Sequence, residues 1–286
     1  MNVKSVYVET TNLCNLDCKT CYNRSGLNKV RQEIAKEQVE QIINLFIPLG
    51  LSRFLISGGE PTLHSEFENI LDLVDKYPVL SFGIVTNGTY PNEKLIHMLN
   101  TRANFTLQIS LDGSNEEQNR KTRGEGNFEK ALAFAKRIDN KSARPLLKMV
   151  ISQNNYEDIE DFYRLALSVG FTPEFAFIFK SGNGAKEWDK KAVTPQQKLK
   201  ALNLIDSLNK KYAAQALLPF CTSKCPFTTG LDQLALCVKS TGSIQPCQML
   251  YGDAYSLGNV FSFNRSSFES RLHDIMMIAQ KRYQGD

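Results

Sequence analysis

The stretch Cys14-Asn15-Leu16-Asp17-Cys18-Lys19-Thr20-Cys21-Tyr22 follows the run Val6-Tyr7-Val8-Glu9-Thr10 after a gap of only a few residues. The earlier run alternates apolar and polar residues as a strand does, which puts the thiols in a loop at the end of a first strand. A loop this short can give thiolates to only three irons of a four-iron cubane cluster. The fourth iron then stays open for a small molecule, as a catalytic zinc keeps one position for water. A zinc knuckle wants two Cys/His pairs, and no second pair lies nearby. Buried structural cysteines occur singly and would not share a polar loop. The triplet therefore favours an iron–sulfur cluster with an open iron.

At 286 residues the chain can bury one large core, or one core with a small appendage. Its apolar fraction of 42% is ordinary for a globular protein. A net charge of +4 without a basic block gives no reason to expect nucleic acid. No apolar run reaches the ~18 residues of a membrane span, and the start of the chain lacks the apolar segment of a signal peptide. No membrane association and a cytoplasmic location are expected. The seven cysteines, at 14, 18, 21, 221, 225, 237 and 247, divide into three plus four. Disulfides are not expected in a reducing compartment, so two groups far apart in sequence point to metal.

Residues 5–13 read as the first strand and residues 35–49 as a helix, with Val39, Ile42, Ile43 and Phe46 at helical spacing. A second strand at 52–56 ends in Ser57-Gly58-Gly59-Glu60-Pro61. Phe67, Ile70, Leu71 and Val74 mark a helix before a third strand at 80–85, which ends at Thr86-Asn87-Gly88. A short helix at 95–99, a strand at 105–110, a helix at 128–138, a strand at 146–151, a helix at 159–169 and a strand at 175–179 complete the series. Strands alternating with helices imply an α/β fold with a parallel sheet and right-handed crossovers. Working loops in such parallel folds sit at the strand C-terminal ends. Ser181-Gly182-Asn183-Gly184 reads as a flexible link, and Thr194-Pro195 opens a helix running to about 212. Strand-like runs before and after Ser240-Thr241-Gly242 suggest a hairpin, and residues 266–282 a closing helix.

The C-x3-C-x2-C spacing of Cys14, Cys18 and Cys21, with Gly58-Gly59-Glu60-Pro61 one β/α unit later, resembles the signature of the radical S-adenosylmethionine (SAM) superfamily. The resemblance implies a partial (β/α)6 barrel over residues 1–215 and a catalytic [4Fe-4S] cluster on the three cysteines. It also implies SAM chelated to the open iron through its amino and carboxylate groups. An electron from the cluster, supplied by a donor such as flavodoxin or ferredoxin, would break the sulfonium bond to a 5′-deoxyadenosyl radical. That radical takes hydrogen from an unactivated C–H bond. The Gly58-Gly59-Glu60-Pro61 turn would lie along the methionyl group, its backbone close to the ligand, with Glu60 or exposed carbonyls accepting from the ammonium. By the same resemblance Ser110 contacts the ribose and Arg123 the SAM carboxylate, while Asp112 is either part of the pocket or a turn cap. Thr20 stands where relatives often carry an aromatic, and Tyr22 is expected to cover the adenine instead. Asn119-Arg120 stands where many relatives carry His-Asp, which leaves both Arg120 and Arg123 as candidates for the cofactor.

Gly242 to Cys247, preceded by cysteines and followed by Leu257-Gly258-Asn259-Val260, resembles the start of a SPASM or twitch extension. No cysteine follows Cys247, so one auxiliary Fe–S cluster, expected as [4Fe-4S], is the limit over residues 216–286. Cys221, Cys225 and Cys247 match the pattern; Cys237 is either the fourth ligand or a free thiol returning hydrogen to a substrate radical. Three readings of the reaction compete. The favoured one is maturation of a ribosomally made peptide, by crosslinking or by inverting a residue. The second is dehydrogenation of a cyclitol or sugar alcohol, with the auxiliary cluster taking the second electron. The third is a SAM-binding electron carrier without a substrate of its own. Only four residues precede the first strand, and the lack of an N-terminal leader-binding domain counts for the second reading, although such a domain can be a separate chain.

Overall fold

The computed structural model describes residues 2–139, 144–186, 188–218, 234–247 and 252–284. Eight strands are present among them: β1 (Val3–Thr11), β2 (Arg53–Gly58), β3 (Ser81–Thr86), β4 (Phe105–Ser110), β5 (Leu146–Ile151), β6 (Thr172–Phe177), β7 (Leu234–Val238) and β8 (Ile244–Gln245). The helices that follow β1, β2 and β3 are α1 (Lys36–Phe46), α2 (Phe67–Lys76) and α3 (Glu93–Thr101). Between β4 and β5 come α4 (Glu116–Arg123) and α5 (Asn127–Lys136), and α6 (Ile159–Ser168) follows β5. Beyond β6 lie the short α7 (Gly182–Ala185) and α8 (Trp188–Lys191), the longer α9 (Pro195–Lys211), and finally α10 (Arg265–Gln284). The six strand–helix units expected from the hydrophobic pattern are all there. No helix among the described residues is long and apolar enough to cross a membrane.

The chain forms two compact units. The first comprises Met1–Leu13, Val30–Gly83 and Phe220–Asp286, and its strands run in the order β3-β2-β1-β7-β8. β1 pairs parallel with β2 and with β7, while β7 and β8 form the expected antiparallel hairpin. Val39, Ile42, Ile43 and Phe46 of α1 are buried at the spacing that predicted the helix. Phe54 and Phe82 meet at 5.8 Å between centroids, and Phe263 bridges Phe46 and Phe268 at 6.3 and 5.3 Å. Such ring contacts add to the apolar area removed from water.

The second unit comprises Cys14–Lys29 and Ile84–Pro219, with strand order β6-β5-β4. β4, β5 and β6 pair in parallel. Phe162 packs edge-on to Phe175, and Tyr163 stacks between Phe175 and Tyr212. β6 starts at Thr172, earlier than expected, because Pro173 fits an outer position where no ladder N–H is needed; its carbonyl accepts from Leu217 N–H at 2.9 Å. One expectation needs correction: the segment read as a flexible link carries the helical turn Gly182–Ala185. The sequence reading placed no element at residues 116–123, which carry no apolar stripe and form α4.

Gly58 closes β2 with φ +151°, and a Cβ there would lie 2.5 Å from the Thr11 carbonyl oxygen. Gly58→Ala is therefore expected to destabilise the fold by about 2 kcal/mol or more. Urea unfolding would measure it, and a midpoint equal to the parent's would contradict the close approach of β2 to Thr11.

Candidate functional site

In the second unit the cysteine loop is held largely through its own backbone. Its carbonyls and amides need partners because no regular ladder reaches them. Asn183 supplies three: its N–H donates to Cys21 O at 2.8 Å, and its Nδ2 donates to Asp17 Oδ1 and to Cys18 O, both at 3.0 Å. Ser181 Oγ donates to Tyr22 O at 2.9 Å, and Lys191 Nζ to Lys19 O at 3.2 Å. Gly182, at φ +54°, lies so close that a Cβ would meet Tyr22 O at 2.3 Å. From α4, Thr122 O accepts the Lys19 N–H at 2.9 Å. Asn87, at the end of β3, donates to Asn15 Oδ1 at 2.9 Å and lies 4.0 Å from Cys14 Sγ.

The thiols differ in surroundings. Cys21 Sγ donates to Asn23 Oδ1 at 3.1 Å, and Leu16 N–H approaches Cys14 Sγ at 3.5 Å. Burial pushes the Cys18 thiol up to about 11, against the pull of the nearby Arg123 guanidinium. Arg123 is the last residue of α4, and its Nη1 lies 3.9 Å from Cys18 Sγ. Its Nε stands 2.9 Å from Asp112 Oδ2 in a buried ion pair. Burial works against the guanidinium's charge, but Asp112 and Cys18 outweigh it and hold Arg123 above its ordinary value. Asp112 is 0% exposed, and its Oδ1 accepts from Val150 N–H at 2.8 Å. Arg120, the other candidate on α4, is exposed. Of the two arginines, only Arg123 joins the loop. Ser110 ends β4, in register with Lys148 on β5.

In the first unit, Gly59 N–H donates to Thr11 O and Glu60 N–H to Leu13 O, each at 2.7 Å, so the turn is laced to the end of β1. Glu60 is 1% exposed, and its Oε1 accepts from Thr62 Oγ1 at 2.7 Å and from Thr62 N–H at 3.3 Å. Cys237 lies on β7 opposite Tyr7 of β1 and Gln245 of β8; its thiol is buried and faces Glu9 Oε1 at 3.9 Å. Burial, with the Glu9 carboxylate and Cys247 adding to it, raises its pKa well above the ordinary value. Cys221 and Cys225 lie outside the described residues.

Among the described residues no three His, Cys, Asp or Glu side chains converge tightly enough to hold a single metal ion. A cubane asks something different, one thiolate for each of three separate irons. The loop's donor set suits it, with soft thiols and a cation beside one of them. Buried polar atoms without a hydrogen-bond partner add a second sign. Of seven such atoms among the described residues, five belong to Asp112, Asn119, Thr122, Arg123 and Asn183. Asp112 and Arg123 face each other as an ion pair, which leaves Asn119, Thr122 and Asn183, each touching the loop or that pair, as unmet polar capacity in the wall, as a site for a polar ligand has. Asn183 and α4 escaped the sequence reading. An all-polar helix has no hydrophobic period, although Asn115 as cap, Glu116 and Glu117 in the first turn and basic residues in the last were legible signs.

The radical SAM superfamily profile matches residues 8–166. Among curated proteins, the chain is 26% identical over 262 residues to the mycofactocin maturase MftC of Mycolicibacterium smegmatis, covering 89% of this chain and 66% of that protein. It is 22% identical over 253 residues to the sporulation killing factor maturation protein SkfB of Bacillus subtilis, covering 86% of this chain and 60% of that one. The chain thus spans just under two thirds of the length of these relatives. Among solved structures, Streptococcus suis SuiB bound to its precursor peptide SuiA superposes with a TM-score of 0.76 at 16% identity, over 95% of this chain and 65% of that one. SuiB has also been solved bound to S-adenosylmethionine, with a TM-score of 0.75. At such identities these structures show a shared α/β fold built on a parallel-strand sheet.

Asn183→Ala removes the Nδ2 bonds to Asp17 and Cys18 while leaving the thiols. Partners of this kind are worth about 10-fold or more in metal affinity. The expected outcome is about 10-fold faster iron loss to a chelator than from the parent, with an unchanged circular dichroism spectrum; equal rates would remove Asn183 from the site.

Proposed function

Because the chain belongs to the radical SAM superfamily, we propose that it cleaves SAM reductively and uses the product to take hydrogen from a C–H bond of a ribosomally made peptide during its maturation. The observation that carries this reading is the likeness of 86–89% of the chain to two maturases, MftC and SkfB. In this proposal Cys14, Cys18 and Cys21 hold a [4Fe-4S] cluster and leave one iron to SAM. When bound, the cluster and SAM supply reductive cleavage of the sulfonium bond and the hydrogen-abstracting radical.

The chain's own residues bind and orient. Burial favours the protonated Cys18 thiol, so ligation must release that proton, and cluster loading should release acid. The Gly58–Pro61 turn would take the methionyl group. Glu60 already accepts from Thr62, which leaves backbone carbonyls of the turn as the simpler acceptors for an ammonium. Ser110 would meet the ribose, Tyr22 the adenine and Arg123 the SAM carboxylate, with Asp112 anchoring that arginine. A flavodoxin- or ferredoxin-type donor would supply the electron, and a separate protein could present the leader of the peptide.

Residues 216–286 would hold one auxiliary Fe–S cluster of the twitch kind, on Cys221, Cys225, Cys237 and Cys247. Cys237 is paired across the β7–β8 hairpin with Gln245, two residues before Cys247, which supports grouping those two. Cys237→Ala is expected to lower the auxiliary iron count; a full count with an undamaged spectrum would return Cys237 to the role of hydrogen donor and favour epimerisation.

The direct test is anaerobic incubation of reconstituted enzyme, SAM and reductant with precursor peptides encoded beside its gene. Formation of 5′-deoxyadenosine together with a crosslinked peptide, or with an inverted residue that gains solvent deuterium, is the expected result. Unaltered peptides alongside oxidation of a cyclitol or sugar alcohol would replace this reading with the small-molecule one.

A further inference from the structure

The orientation of Arg123 carries more than a cofactor contact. Its backbone sits at the C-terminal end of α4, where Thr122 O accepts the Lys19 N–H, so the helix end is pinned to the cysteine loop. Behind it Asp112 is fixed on three sides: Oδ1 by Val150 N–H at 2.8 Å, its N–H by Asn119 Oδ1 at 3.0 Å, and its carbonyl by Asn155 Nδ2 at 3.0 Å. The backbone is held by two of these bonds and the carboxylate by the one at Oδ1, and its Oδ2 faces Arg123 Nε at 2.9 Å. The guanidinium is planar, so fixing Nε also fixes the direction of its amino groups. One of them, Nη1, lies 3.9 Å from Cys18 Sγ. The guanidinium thus has the Asp112 carboxylate at 2.9 Å from Nε and the Cys18 sulfur, which becomes a thiolate only on ligation, at 3.9 Å from Nη1.

We propose that Arg123, aimed by Asp112, is a positioning residue that sets the reduction potential of the cluster on Cys14, Cys18 and Cys21. The inference rests on the radical SAM reading above and adds a role for the pair that is independent of SAM. When the cluster takes one electron from a reductant, its charge becomes more negative by one, with no proton or ligand exchanged. A fixed cation donating toward a ligating sulfur stabilises that added charge, and hydrogen bonds to cluster sulfurs are among the terms that set such potentials. Arg123's side chain is 11% exposed and Asp112's 0%, so water screens little of the effect. The carboxylate acts with the opposite sign. It orients the guanidinium but offsets part of its field.

The test is an EPR-monitored redox titration of reconstituted full-length protein without SAM, reading the signal that the Cys14/Cys18/Cys21→Ala triple variant lacks. Arg123→Gln should lower the midpoint, so that the reduced-to-oxidised ratio at the parent's midpoint falls on the order of tenfold. Asp112→Asn should raise the midpoint, Arg123→Lys should restore part of the loss, and the exposed Arg120→Gln should leave it unmoved. Midpoints that stay put, or move in the same direction, with iron counts intact would overturn the assignment. Should Arg123→Gln fail to load a cluster, Asp112→Asn and Arg123→Lys decide by the same signs. Failure of all three to load, with the fold retained, would make the pair a structural brace and refute the proposal. Failure of the parent itself to load a cluster would instead refute the reading on which it rests.

Discussion

The hydrogen bonds from Asn183 to the cysteine loop are the constraint on which the site depends. A nine-residue segment rich in polar side chains cannot satisfy its own backbone, and an unmade buried bond costs about 1–3 kcal/mol. Asn183 satisfies Cys18 O and Cys21 O and fixes Asp17, so the loop's conformation is written partly at a residue 162 positions beyond its last thiol. Gly182 lets that asparagine come close, since any Cβ would strike Tyr22 O. The loop's backbone is thereby held from outside the loop, which is the preorganisation that the proposed metal site needs.

A second constraint acts on β1, which lies between β2 and β7 and receives the Gly59 and Glu60 amides at its C-terminal end. Glu9 and Cys237 share one face there, because Cys237 is in register with Tyr7, two residues before Glu9. A buried thiol beside a buried carboxylate stays protonated until something displaces its proton. Iron ligation would release that proton to solvent, whereas a carbon radical would take the whole hydrogen atom and leave a thiyl radical; these are the two roles weighed for Cys237.

The fold was legible in the sequence wherever helix or strand buries an apolar face. β4 and β5 fall on the expected residues, and α1 buries the four side chains that predicted it. What stayed hidden is polar. α4 buries only Asn119 and Thr122, so no hydrophobic period announces it, yet it delivers Arg123. The choice between Arg120 and Arg123 could not be made from spacing, because it depends on which face of a polar helix turns inward. Asn183 lay in a Gly-rich stretch that read as a linker. Its importance comes from what its amide meets, and local sequence does not encode that meeting.

The central claim is that the Cys14, Cys18 and Cys21 loop holds the cluster at which SAM is cleaved. The most direct measurement is 5′-deoxyadenosine formed under dithionite by the reconstituted parent and by the triple Cys14/Cys18/Cys21→Ala variant, each assayed with its iron count. The account predicts turnover by the parent, and none by a variant that keeps only its C-terminal iron. Continued 5′-deoxyadenosine formation by the triple variant would contradict it.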